Sequence, residues 1–215
     1  MKNMIRKDFS LAVMPYNYIF LLFGAMLMIP DYPLYVAFFY ATLSLYLMFK
    51  TGNENGDVMF TALLPVRKCD IVRGRCATVA ILELAQVLLS VPFAVLRMVL
   101  YKGSPIENSL FTEPNVAFFG ITLVMLAIFN ALFLPRFYKD GRTVKFLVPC
   151  IVTFVFILFA ECFAIVPQTA KYIDAIDKAS QIKQLPVLLG GMAVYAGGML
   201  LTCRRCEKLF EKVDL

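Results

Sequence analysis

The 215-residue chain contains no histidine. That absence removes His-ligated metal centres, Ser-His-Asp triads and HExxH proteases from consideration. Charge is also scarce: Asp, Glu, Lys and Arg together make up 17% of the residues, where soluble domains carry about 25%. No GxxxxGK(S/T) stretch occurs, so the chain has no loop of that kind to cradle ATP phosphates. The six cysteines do not form a disulfide framework. Cys69, Cys76, Cys203 and Cys206 fall in or beside segments expected on the reducing cytoplasmic side, and Cys150 and Cys162 fall inside an apolar run. Cys203-Arg-Arg-Cys206 has CxxC spacing but no partner pair in the tail, so a zinc site would need ligands from a second subunit. Ordinary reduced thiols are the simpler expectation.

What the chain has in abundance is apolar surface. Hydrophobic residues are 60% of the total, with 20 Phe and 11 Met, and the mean hydropathy is +0.75. The apolar residues come in long runs, and a run of roughly 17–25 such residues spans a bilayer as a helix. Six segments meet or approach that length: Leu11–Ile29, Leu34–Phe49, Ala77–Leu100, Val116–Leu134, Phe146–Val166 and Leu185–Cys203. The expected fold is therefore an all-α membrane protein, one transmembrane domain over residues 1–215 with six helices. The second segment is short, with Tyr32, Tyr35 and Lys50 placed to anchor it at the interfaces. The first two form a hairpin about Pro30-Asp31-Tyr32-Pro33.

Orientation follows from the basic residues. With both termini inside, 16 of the 21 Lys and Arg fall in inner segments and 4 in outer loops, with Arg97 inside a span. That is a positive-inside distribution, and it places both termini in the cytoplasm. Anionic lipid headgroups account for the net charge of +6 without any nucleic acid. The first apolar run lacks a small-residue cleavage site, so it is expected to stay as a helix rather than be removed as a signal.

Two further helices are expected outside the spans. Met1, Ile5, Phe9 and Ala12 recur at helical spacing opposite Lys2, Arg6 and Lys7, the pattern of a helix lying in the headgroup layer. In 167–184, Tyr172, Ile173, Ile176 and Ile182 alternate with Lys171, Asp174, Asp177, Lys178 and Lys183, the pattern of an amphipathic helix on the outer surface. The insert Lys50–Cys76 is 27 residues long, whereas connections in helical bundles run about 2–8 residues. Glycines open it, a short apolar run Val58–Leu64 follows, Pro65 stops that run, and Arg67-Lys68 precede a new helical start near Asp70. An insert of this size is either a docking element or a loop packed beneath its own bundle.

Leu63-Leu64-Pro65-Val66-Arg67-Lys68, followed by Asp70-Ile71-Val72-Arg73-Gly74-Arg75, resembles the LLP-(S/V)-(S/R)-(R/K)-x-(D/E)-I-V stretch of ABC-2-type permeases, the six-span membrane subunits of bacterial ABC exporters. The stretch lies just after the second span, its place in that family. The resemblance implies that residues 53–64 form a coupling helix docking on a separate ABC ATPase subunit, which binds ATP and Mg while this chain binds no cofactor. Glu54 and Asp57 would then meet basic groups, Met59, Phe60, Leu63 and Leu64 would supply the apolar anchor, and Pro65 and Arg67 would close the element. It also implies a homodimer or a second permease subunit, a location in the bacterial cell membrane, and a cargo such as an antimicrobial-type peptide, a lantibiotic or a hydrophobic drug. A six-span substrate-binding subunit of a vitamin importer is the alternative, with Ala37 and Ala41 as its small-residue docking motif; the long insert does not suit it.

Polar residues inside the spans are costly and therefore informative. Glu83, Gln86, Ser90 and Arg97 stand at 0, 3, 7 and 14 along the third span, within an arc of roughly 60° at about 100° per residue. Glu161, near the outer end of the fifth span, is the expected ion-pair partner of Arg97, and Asn130 the expected neighbour of Glu83. Two readings are open for this strip: paired groups that hold helices in register, or a path or gate touched by cargo. A third class, an intramembrane enzyme using Glu83 and Glu161, has no paired motif behind it. In the sixth span Gly190, Ala193 and Gly197, with Gly191 and Gly198 beside them, form a small-residue stripe expected to pack closely on a neighbour.

Overall fold

The computed structural model describes residues 2–63, 65–101, 112–140, 144–166 and 178–213, and every element among them is helical. In chain order these are α1 (Lys2–Leu11), α2 (Pro15–Leu21) continued by a 3-10 segment (Leu22–Met28), α3 (Tyr35–Glu54), α4 (Asp57–Ala62), α5 (Lys68–Leu100), α6 (Val116–Asp140), α7 (Leu147–Ile165) and α8 (Lys178–Phe210). Three of them, α5, α6 and α8, are long and apolar enough to cross a membrane, and α1 with α2 and its continuation makes a fourth if that bent pair is one span. The other apolar segments fall short for separate reasons. The first is broken twice, by a 96° bend before Pro15 and by the change to 3-10 geometry at Leu22. Proline is pre-shaped for the first helical position and pushes Met14 into extended backbone, so α1 cannot run on into α2. The apolar part of α7, Leu147–Phe163, is simply short.

The amphipathic start is observed as α1, set nearly at right angles to α2. The coupling element is shorter than expected. Asn53 and Glu54 complete α3, and the chain turns at Asn55-Gly56, where Gly56 has φ +67, before α4 begins at Asp57. The helical start expected near Asp70 is observed and leads straight into the third span, as the first two turns of α5, whose 33 residues make a rod of about 50 Å. Most of the expected outer helix, 167–177, lies outside the described residues; 178–184 are the first turns of α8.

Two apolar clusters fill the bundle. One, at the end where α1 and the last turns of α8 meet, centres on Phe49, Phe133, Phe137, Tyr138 and Phe210. Its rings meet edge to face, Phe49 on Phe137 at 4.7 Å and Tyr138 on Phe210 at 5.3 Å. The other gathers Leu34, Tyr35, Phe38, Phe118 and Leu126. Outward-facing residues of α5, α7 and α8, among them Leu88, Phe159 and Leu201, are exposed, as a lipid-solvated surface requires.

The closest helix pair is α6 with α8, and its contact differs from the expected stripe by one residue. Gly190 and Gly197 face open space, whereas a Cβ on Gly191 would lie 2.2 Å from the Gly120 carbonyl oxygen. Helix backbones approach this closely where small residues leave room for them. Gly191→Ala therefore overpacks the seam and costs about 1–3 kcal/mol, while Gly190→Ala leaves stability unchanged or slightly raised. Thermal unfolding of the two variants in detergent checks this; equal melting temperatures would contradict the assigned seam.

Candidate functional site

The insert between α3 and α5 is held by a buried ionic cluster. Asp57, first residue of α4, accepts a hydrogen bond from the Lys7 ammonium of α1 at 2.9 Å and another from the Arg75 guanidinium of α5. Arg75 Nε also lies 3.2 Å from Asp8, and Lys7 donates to Thr61 at 2.8 Å. Thr61 donates back to the Asp57 carbonyl at 2.6 Å, closing the one full turn of α4. The guanidinium carbon of Arg75 sits 5.6 Å from the centre of the Phe49 ring, which adds α3 to the cluster. Gly74 admits α1 to this face of α5, since a Cβ there would lie 2.7 Å from Met4 Cβ. Asp57, Asp8 and Arg75 are all buried. Four helices thus converge on two carboxylates and two cations.

Burial pushes the Asp57 carboxyl up, but Arg75 and Lys7 outweigh it and hold the group below its ordinary value. A group lowered by folding contributes stability above its unfolded pKa and loses it only as pH falls through the folded one.

Asp57 is therefore turned inward and occupied by its own chain, in place of the outward role expected of it. What α4 and the turn that ends it display is apolar: Phe60 is 58% exposed and Leu63 79%. Glu54 and Pro65 are exposed beside them; Glu54 lies 3.9 Å from Lys50, and Arg67 pairs with Asp70 at 2.9 Å. Leu64 and the side chain of Met59 lie outside the described residues.

The polar strip of α5 faces the bundle interior. Glu83 accepts from Asn130 of α6 at 2.7 Å and from the Tyr195 hydroxyl of α8 at 2.6 Å. Gln86 donates to the Ala37 carbonyl of α3 at 3.0 Å. Ser90 donates to the Val87 carbonyl at 2.7 Å, and its backbone packs so tightly on Gly24 that a Cβ there would lie 2.9 Å from Ser90 Cβ. Arg97 pairs with Glu113 at 3.0 Å rather than with Glu161, and it donates to the Leu27 and Ile29 carbonyls at 3.0 and 2.8 Å. Those carbonyls end the 3-10 segment, so the guanidinium serves as its C-terminal cap. Glu161 instead accepts from the Thr112 backbone and hydroxyl at 3.1 and 2.8 Å. All five expected residues of the strip are buried. The structure joins four of them to the bundle along one helix and leaves Glu161 apart.

Residues missed from the sequence are Lys7, Asp8, Arg75, Glu113 and Tyr195. Lys7 and Arg75 read there only as orienting or headgroup charges. Glu113 has a usable signal, an acid just before Pro114 and Asn115, whose side chain caps α6 by accepting from the Phe118 amide at 2.9 Å.

A family model described as ABC-2 family transporter protein matches residues 3–204. No curated protein and no solved structure matches the chain.

Removing one partner of a buried pair strands the others: Asp57→Ala costs about 3–5 kcal/mol and frees α4, read as faster proteolysis within residues 55–65. In the unaltered chain that cleavage stays slow at neutral pH and accelerates only as pH falls below about 4. Acceleration already near pH 6 would contradict the sign assigned to Asp57.

Proposed function

The chain belongs to the ABC-2 family of transporter proteins, and we propose that it is the membrane-spanning permease subunit of an ATP-driven exporter. The observation that carries this reading is the exposed pair Phe60 and Leu63, on α4 and the turn that ends it, mounted on the bundle by the Asp57–Arg75–Lys7 cluster. A small apolar anchor on a rigid mount is what a groove on an ATPase subunit can grip. Phe60 and Leu63 are its centre, and Glu54, Pro65 and Arg67 its rim. Asp57 is the mount rather than a contact. ATP and Mg then reside on the partner, and closure of two ATPase subunits rocks two copies of the permease, or this chain and a second permease, between inward and outward states.

On this reading the six apolar segments all reach through or into the bacterial cell membrane, with both termini cytoplasmic. The broken first segment, α3 and the short α7 complete the set by lying against α5 and α6. Burial of Glu83, Gln86, Ser90 and Arg97, with bonds from three of them to neighbouring elements, supports the first of the two roles open to them, holding helices in register, so a gate would act by shifting this seam. Cargo contact falls to apolar surface. A groove of about 460 Å³ among α5, α6 and α8, lined by Leu88, Val91, Val95, Met98, Phe119 and Met192, suits an amphipathic or hydrophobic peptide or drug moving outward.

Affinity capture of the tagged chain in mild detergent, from cells producing its ATPase, tests the docking face. The wild type retains the ATPase and Phe60→Ala with Leu63→Ala loses it, with an unchanged melting temperature. Retention by both forms would move the docking site elsewhere; capture by neither would remove the exporter reading.

Glu83→Gln separates the two roles of the strip. The amide keeps an acceptor for Asn130 and Tyr195, so transport stays within about twofold, while Glu83→Ala loses about 1–3 kcal/mol of stability. Loss of transport in a fully stable Glu83→Gln protein would instead favour direct contact with cargo.

A further inference from the structure

The CxxC pair at the end of α8 acquires a partner in the fold. Cys203 of α8 and Cys76 of α5 lie on helices that face one another across a single groove. Both line this groove of about 310 Å³ together with Arg73, Arg204, Glu207 and Met199. They differ in access: Cys76 is buried within the apolar cluster, while Cys203 is partly exposed. Cys206 is fully buried and absent from the groove lining. The Cys203 thiol donates to Glu207 Oε1 at 3.5 Å, and Glu207 is fixed by a two-pronged pair with Arg73 at 2.8 and 3.1 Å. A half-open thiol whose proton is directed at a carboxylate that can accept it, with a second, buried thiol lining the same groove, is the arrangement of an oxidant-reactive cysteine and its resolving partner.

We propose that Cys203 and Cys76 form a peroxide-responsive pair that closes to a disulfide and staples α5 to α8. The deprotonated sulfur of Cys203 attacks one oxygen of a hydroperoxide, here hydrogen peroxide. The S–O bond forms as the O–O bond breaks, and hydroxide leaves and takes up a proton to become water. The Cys76 sulfur then attacks the Cys203 sulfur. The S–S bond forms, the S–O bond breaks, and the departing hydroxide takes the Cys76 proton as a second water. Two thiols are oxidised by two electrons and one peroxide is reduced. Any thiol reductant of the cytosol reverses the link by exchange. The staple falls one residue from Arg75 and three from Arg73, so it would lock the α5–α8 seam at the end where α4 is mounted. The chemistry stands whether or not the chain is an exporter subunit.

The test is peptide mapping of the full-length chain in detergent after exposure to hydrogen peroxide, with free thiols alkylated before denaturation and again after it. The wild type loses two of its six alkylatable thiols and yields a Cys76–Cys203 linked peptide that dithiothreitol cleaves. Cys76→Ser yields no link, and dimedone captures a sulfenic acid at Cys203. Cys206→Ser links as the wild type does. A Cys203–Cys206 link, a link only between two copies of the chain, or oxidation elsewhere with Cys203 still free would each overturn the proposal. The wild-type map alone decides among these, so a variant that fails to fold does not leave the question open.

Discussion

Arg75 lies where a helix about to enter apolar surroundings carries its last cation, and the surrounding structure is organised to accommodate it. A guanidinium buried at that depth must be matched by anionic groups brought to it, because unpaired it would cost several kcal/mol. Asp57 and Asp8 supply the match, one from α4 and one from α1, and Lys7 balances the second carboxylate. Those requirements fix three things at once: α1 lies across α5, α4 folds back under the bundle, and the chain turns sharply at Gly56. The mount of α4 is thus electrostatic, and its exposed face is free to be apolar.

The same rule recurs at the other end of α5. Arg97 is buried against Glu113 and caps the 3-10 segment, while the Tyr101 hydroxyl donates to the Met28 carbonyl at 3.2 Å. Between the two arginines, Gln86 and Glu83 tie α3, α6 and α8 to the same helix. A rod of about 50 Å pinned at both ends and its middle can move only as a unit with the elements it holds. On the reading proposed above, that unit includes α4 as the docking element.

The helical class, the apolar segments, the α1 amphipathicity and the place of the insert were legible in composition and periodicity. So was the common face of Glu83, Gln86, Ser90 and Arg97, since helical spacing alone puts them together, and the Asn130–Glu83 contact followed from equal depth. Partners across long separations were not legible. Arg97 could be seen to need an acid, yet nothing in one sequence distinguishes Glu113 from Glu161. Asp57 looked like surface because it sits in a polar, glycine-flanked loop, and only the convergence of α1 and α5 makes that position interior. The one-residue shift from Gly190 to Gly191 has the same origin: a stripe shows that small residues share a face, and only the neighbour's backbone selects which face is used. Six spans were likewise read from apolar content, which does not register the proline break before α2 or the change to 3-10 geometry within the first segment.

Hydrogen exchange of the α4 amides tests most directly whether α4 is carried by α5. In the wild type, the amides of residues 60–63 should be protected alongside the first turns of α5, and Arg75→Gln should release them while the α6–α8 seam keeps its protection. Protection of α4 that is unchanged by Arg75→Gln, or absent already in the wild type, would contradict the account.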